Sequence, residues 1–137
     1  MKRGNKMLGL YVHIPFCVSK CNYCDFNSYK IDKNSKETYI QDLKKEINLY
    51  KQERKNNNEE EISSIFLGGG TPSILSSEEI KYIFKSIKEN FKIREDAEIT
   101  IECNPGTLTK EKLMAMKDVG INRLSMGLQA VQDYHLN

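Results

Sequence analysis

The residues best equipped for chemistry in this sequence are three cysteines in one short segment, Cys17-x-x-x-Cys21-x-x-Cys24. In a reducing compartment such clustering points to metal or redox chemistry before it points to a disulfide framework. Cuboidal iron–sulfur clusters are held by cysteine thiolates, usually four, so a local set of three leaves one iron open to an exogenous ligand. The competing reading is a zinc knot, whose closed sites use four Cys or His ligands, typically at C-x2-4-C spacing. His13 falls in a strand-like run and is an awkward fourth ligand.

Three further segments carry residues suited to a ligand. Gly68-Gly69-Gly70-Thr71-Pro72 lets the backbone approach a bound group, since no Cβ intervenes and positive φ is cheap. No Gly-Lys-Ser/Thr follows, so it is not a Walker loop, and a tight β-to-α turn explains it equally well. Glu102 ends a strand-like run and is placed either to accept hydrogen bonds from a ribose or simply to be solvated. Gln129 carries the same ambiguity. Cys103 has no nearby cysteine partner and reads as a small buried hydrophobe. Met114 and Met116 fall in a helix, where core packing accounts for at least one, and His135 lies in a terminal stub that carries no argument.

These residues need elements to hold them. Leu8 to Ile14 is rich in β-formers and is closed by Pro15. Asn34 with Glu37 predicts a capping box, and Ile40, Leu43, Ile47 and Tyr50 recur at helical spacing to about Lys55, before the polar stretch Lys55–Glu61. Ile62 to Leu67 predicts a second strand. Ser76 and Glu79 predict another capping box, ahead of a helix lined by Ile80, Ile83, Phe84, Ile87 and Phe91. Ala97 to Glu102 alternates as a third strand. Thr109 caps a helix over Lys110–Val119, Gly120 supplies its left-handed terminus, and Arg123 to Leu128 reads as a fourth strand.

The order is βαβαβαβ, which demands parallel strands joined by crossovers. In such α/β architectures ligands bind beyond the carboxyl ends of the strands. The cysteines, the glycine triplet, Glu102 and Gln129 each follow a different strand, so four segments point at one rim. The expected fold is a partial parallel (β/α) barrel ending after about the fourth strand, because 137 residues fall short of the roughly 250 of a closed eight-unit barrel. The chain stops where a fourth helix should begin, so residues 1–137 are expected to be the N-terminal part of a longer core domain.

Charge excludes other functions. Twenty-one Lys and Arg against nineteen Asp and Glu leave a net charge of +2 without a basic block, which gives nucleic-acid binding no support. No apolar run approaches the roughly 20 residues of a membrane span. The N-terminus offers no signal-peptide cleavage pattern, so a cytoplasmic address is expected.

Taken in order, Tyr11-Val-His-Ile-Pro-Phe-Cys17-x3-Cys21-x-Tyr23-Cys24-Asp25-Phe26, GGGTPS, IECNPGTLT and GINRLSMGLQ resemble the radical S-adenosylmethionine superfamily. Within it they are most similar to the anaerobic coproporphyrinogen III oxidase group, and especially to its HemW-type haem chaperone branch. The resemblance covers Leu8 to Gln129 and implies a 4Fe-4S cluster on Cys17, Cys21 and Cys24, in a cluster loop over residues 15–30. The free iron would be chelated by S-adenosylmethionine. Tyr11 and Tyr23 would lie beside cluster and cofactor, and Gly69, Gly70 and Thr71 would hold the methionine amino end. Glu102 would take the ribose hydroxyls and Gln129 further polar atoms of the cofactor.

The chemistry implied is reductive cleavage of the sulfonium to a 5′-deoxyadenosyl radical, which in the oxidase branch attacks substrate propionates. That branch usually carries a fourth cysteine two positions after the third, where this sequence has Phe26. The resemblance therefore implies a haem chaperone that delivers haem to membrane enzymes, haem being bound by a region absent from this chain. Its partners would also include an electron donor such as flavodoxin or ferredoxin. A coproporphyrinogen oxidase is the alternative enzyme reading, and a zinc-stabilised β/α fragment the plainest one.

Overall fold

The computed structural model describes residues 7–53 and 60–127. Strand β1 (Leu8–Ile14) is followed by two short strands, β2 (Phe16–Cys17) and β3 (Tyr29–Lys30), and by helix α1 (Lys33–Glu53). Then come β4 (Ile62–Gly69), α2 (Ser77–Asn90), β5 (Ile93–Cys103), α3 (Lys110–Asp118) and β6 (Arg123–Met126). The main sheet has the order β1-β4-β5-β6 with every pairing parallel, as the alternation of patterns predicts. Each crossover carries one helix. Single 3-10 turns at Pro72–Ile74 and Pro105–Thr107 lie between the strand ends and α2 and α3.

One face of the sheet makes the core. Val12, Ile14, Ile65, Leu67, Ile99 and Ile101 are buried together with Ile40, Leu43 and Ile47 of α1, Ile80, Ile83, Phe84 and Ile87 of α2, and Met116 of α3. Each such side chain contributes about 1.5–3 kcal/mol relative to exposure. Met114 is exposed, so packing accounts for one of the two helix methionines.

The other face follows from the period of two and the strand register. Tyr11 pairs with Phe66, Phe66 with Thr100, and Thr100 with Arg123 in one row, while His13 pairs with Gly68, and Glu102 with Ser125, one step nearer the carboxyl rim. This face is aromatic and polar, and no described helix packs on it. It is the inward face of a barrel wall.

The capping box of α2 forms as predicted, with Ser76 accepting from the Glu79 N–H and Glu79 from the Ser76 N–H. Thr109 caps α3, and Gly120 adopts φ +98° after it. Helix α1 starts differently. Its first turn is capped by Asp32, whose carboxylate accepts the Ser35 N–H and hydroxyl, both at 2.8 Å, so the predicted Asn34–Glu37 box does not form. The Ile31 N–H is bonded to the Cys17 carbonyl at 2.8 Å, which places Asp32 one residue ahead of the helix. Strand β5 begins at Ile93, not Ala97, because pairing with β4 continues past a break in register. Leu128, the predicted end of the fourth strand, lies outside the described residues.

Candidate functional site

At the carboxyl rim of the sheet lies a cavity of about 490 Å³. Its lining brings together Cys17, Cys21 and Cys24 with Tyr23, Gly69, Gly70, Thr71 and Glu102. These residues follow three different strands, and Ser125, Met126 and Gly127 add the end of the fourth. Gln129 and His135 lie outside the described residues.

The cysteine loop is tied to the sheet by backbone bonds at its neck. Pro15 and Cys17 offer carbonyls to the N–H groups of Tyr29 at 2.7 Å and Ile31 at 2.8 Å, pairing β2 with β3. The glycine segment grips the incoming limb: Gly70 N–H donates to the Ile14 carbonyl and Thr71 N–H to the Phe16 carbonyl, both at 2.8 Å. All three loop thiols are free, and the Thr71 hydroxyl donates to Cys17 Sγ at 3.6 Å. Inside the loop, Cys24 N–H reaches the Cys21 carbonyl at 3.1 Å.

Two glycines are required by this contact. Gly69 has φ +121°, a conformation that L side chains rarely adopt. A Cβ on Gly70 would stand 2.6 Å from the Phe16 carbonyl oxygen and 2.9 Å from Cys17 Sγ. The closest approach this triplet permits is to the cysteine loop of its own chain. Its N–H groups are committed, since Gly69 N–H also donates to Glu102 Oε2 at 3.1 Å.

Glu102 thus sits on the inward face with one oxygen engaged. Tyr23 is largely exposed, and hydrogen bonding to the Cys21 sulfur together with the negative charge of its thiolate form pushes the Tyr23 hydroxyl above the usual phenol pKa. Tyr11 does not line the cavity. Its ring stacks on Phe66 and its hydroxyl lies 3.0 Å from His13 Nδ1, while His13 Nε2 lies 2.9 Å from the Asn27 carbonyl. A carbonyl only accepts, so Nε2 carries the proton and Nδ1 accepts from Tyr11.

Residue types alone gave no prominence to several supports of the site. Lys20 turns its ammonium onto the Phe26 carbonyl at 2.7 Å and Ser28 Oγ at 2.9 Å. Asn104 N–H donates to Ser73 Oγ at 3.0 Å, joining the loops after β4 and β5. Lys112 Nζ donates to the carbonyls of Ser73 at 2.9 Å and Thr107 at 3.0 Å, and burial, with the nearby Lys36 charge, lowers its pKa. Cys103 is buried, as expected from its isolation, and desolvation raises its thiol pKa.

A family model described as the radical SAM superfamily matches residues 11–137. The chain belongs to the radical SAM superfamily. Among curated radical SAM relatives it is 43% identical over 134 residues to the heme chaperone HemW of Haemophilus influenzae, covering 92% of this chain and 33% of that protein. It is 38% identical over 133 residues to the heme chaperone HemW of Escherichia coli, covering 94% of this chain and 34% of that one. The solved structure of coproporphyrinogen III oxidase (HemN) from Escherichia coli, a radical SAM enzyme, superposes with a TM-score of 0.85 at 34% identity. That match covers 95% of this chain and 30% of the other. The chain thus spans about a third of the length of these relatives. Its four-stranded parallel sheet is the corresponding part of the radical SAM (β/α) barrel. No helix among the described residues is long and apolar enough to cross a membrane.

Proposed function

We propose that this chain is the first part of a radical SAM core domain that holds a 4Fe-4S cluster on Cys17, Cys21 and Cys24 and S-adenosylmethionine beside it. The observation that carries this reading is the meeting of three free thiols, the glycine turn and Glu102 around one cavity at the carboxyl rim. The donor set fits a cluster better than a zinc knot. A closed zinc knot needs four Cys or His ligands, and this loop supplies three thiols. Both His13 nitrogens are engaged elsewhere. A cuboidal cluster can be held by three local thiolates at three iron corners, which leaves the fourth iron open.

When bound, the cluster supplies an electron and one open iron for the nucleotide. The chain's residues do the rest. Gly69, Gly70 and Thr71, whose own N–H groups are occupied, are assigned to the methionine amino end. Glu102 presents a carboxylate to ribose hydroxyls, Tyr23 an aromatic face at the rim, and Gln129 is assigned to further cofactor polar atoms. Tyr11, assigned to the cofactor's surroundings, stands outside the cavity lining on the inward face with its hydroxyl on His13.

For the whole protein we favour a cytoplasmic haem chaperone, because three HemW relatives match the chain at 38–45% identity and Phe26 stands where a fourth cysteine would be. Haem contact would then lie beyond these residues, with a one-electron donor and haem-dependent membrane enzymes as partners. The structural likeness to HemN favours the second reading, an oxygen-independent coproporphyrinogen III oxidase. Anaerobic assay of the full-length product with coproporphyrinogen III and S-adenosylmethionine separates the two, since protoporphyrinogen formation at a useful rate rejects the chaperone. For the cluster, Cys17→Ala, Cys21→Ala and Cys24→Ala should each abolish stable iron–sulfur incorporation, while Cys103→Ala keeps it. Equal iron and sulfide in all four variants would overturn the ligand assignment.

A further inference from the structure

Lys20 lies between the first two cysteines, yet its side chain leaves the cavity and turns back into its own loop. Its ammonium donates to the Phe26 carbonyl at 2.7 Å and to Ser28 Oγ at 2.9 Å, and the Ser28 hydroxyl donates to the same carbonyl at 3.3 Å. The stretch from Lys20 to Ser28 encloses both Cys21 and Cys24. Between these two partners, Asn27 offers its carbonyl to His13 Nε2 at 2.9 Å. The returning limb of the loop is therefore held from two sides, locally by Lys20 and from β1 by His13.

We propose that Lys20 is a positioning residue for the cluster, a clasp that closes the loop bearing Cys21 and Cys24 before iron arrives. The inference rests on the cluster reading above, but the clasp is a property of the metal-free chain. Its physical basis is loop entropy: ordering a flexible segment costs free energy at every residue, and each cross-link made in advance removes part of that cost from ligand binding. An ammonium has three donors and reaches two acceptors at once, and hydrogen bonds from a charged donor are roughly twice as strong as neutral ones. Groups that orient metal ligands without touching the metal typically alter affinity by about 10–100-fold when removed.

The test compares Lys20→Met, which keeps the stem and loses the donors, with Lys20→Arg, which restores them. In the metal-free full chain, the amides of Cys24 and Tyr29 report the loop, since they bond to the carbonyls of Cys21 at 3.1 Å and Pro15 at 2.7 Å. In Lys20→Met both should exchange with solvent about tenfold faster, with the Leu67 amide in the sheet unchanged and Lys20→Arg restoring most of the protection. After anaerobic reconstitution, the Lys20→Met cluster should be lost to a chelator about tenfold faster and give a broadened spectrum in the reduced state, both reversed in Lys20→Arg.

Wild-type exchange and cluster retention in Lys20→Met would overturn the clasp. If Leu67 also exchanges faster, Ser28→Ala takes over: the same loop-only pattern at smaller amplitude supports the proposal, and no change refutes it. A wild-type chain that takes up no iron overturns the cluster reading and the role assigned to Lys20, whereas a loaded wild type whose loop exchange and chelator loss equal those of Lys20→Met overturns the clasp alone.

Discussion

On the proposed reading, Glu102 is the residue on which binding of the nucleotide can be separated from binding of the metal. One of its oxygens accepts the Gly69 N–H at 3.1 Å, so the carboxylate is oriented by the same glycine turn that grips the cysteine loop. A charge-assisted hydrogen bond is worth about 1.5–3 kcal/mol, so Glu102→Ala should weaken S-adenosylmethionine binding by at least about tenfold while iron content stays at the wild-type level. Calorimetry on reconstituted protein reads the first and iron analysis the second, and an unchanged affinity would remove Glu102 from the cofactor site. The rim position of the cysteines and Glu102 was legible in the sequence because each falls at the carboxyl end of a strand-like run. Lys20 and His13 were not, because residue type and spacing do not say where a flexible ammonium folds back or which carbonyl an imidazole finds. The glycine triplet was legible only as a place of close approach. That the approach is by Phe16 and Cys17 is a tertiary fact.

At the scale of elements, helical spacing, β-forming runs and end signals together placed the three helices and the four main-sheet strands of the described residues, and the caps of α2 and α3 followed from local residue chemistry. Strands β2 and β3 are two residues each and carry no period to read. The start of α1 was misplaced because two candidate caps compete within three positions, and the loop closure through Ile31 selects Asp32. This gives a pH prediction. Hydrogen bonds from Ser35 hold the Asp32 carboxyl below its usual pKa, so its capping contribution is complete above the unfolded value of about 3.9 and is lost as pH falls through the lower folded value. The stability difference between wild type and Asp32→Ala should therefore be constant near neutrality and shrink only below about pH 4. Urea midpoints measured from pH 7 to pH 3 check it, and a difference that grew on acidification would show that another group governs this helix end.

At the scale of the molecule, the two faces of the sheet do different work. The helix-covered face supplies the apolar burial, while the inward face and carboxyl rim collect Tyr11, His13, Glu102, Arg123 and the cysteine loop. The loop is joined to the rest by a handful of backbone bonds at its neck and at the glycine turn, so it belongs to the low-stability part of the fold that a ligand can order. A ligand that binds only the folded state stabilises it by mass action, by about 2.7 kcal/mol at a hundred times its Kd. Cluster assembly on the full chain should thus raise the anaerobic melting temperature, and S-adenosylmethionine at saturating concentration should raise it again by several degrees. The two increments come apart in the variants. Cys21→Ala should lose both, because the nucleotide's chelating iron is gone, whereas Glu102→Ala should keep the first and lose most of the second. A second increment that survives in Cys21→Ala would mean that the nucleotide binds this rim without the cluster, and its proposed anchoring on the open iron would be wrong.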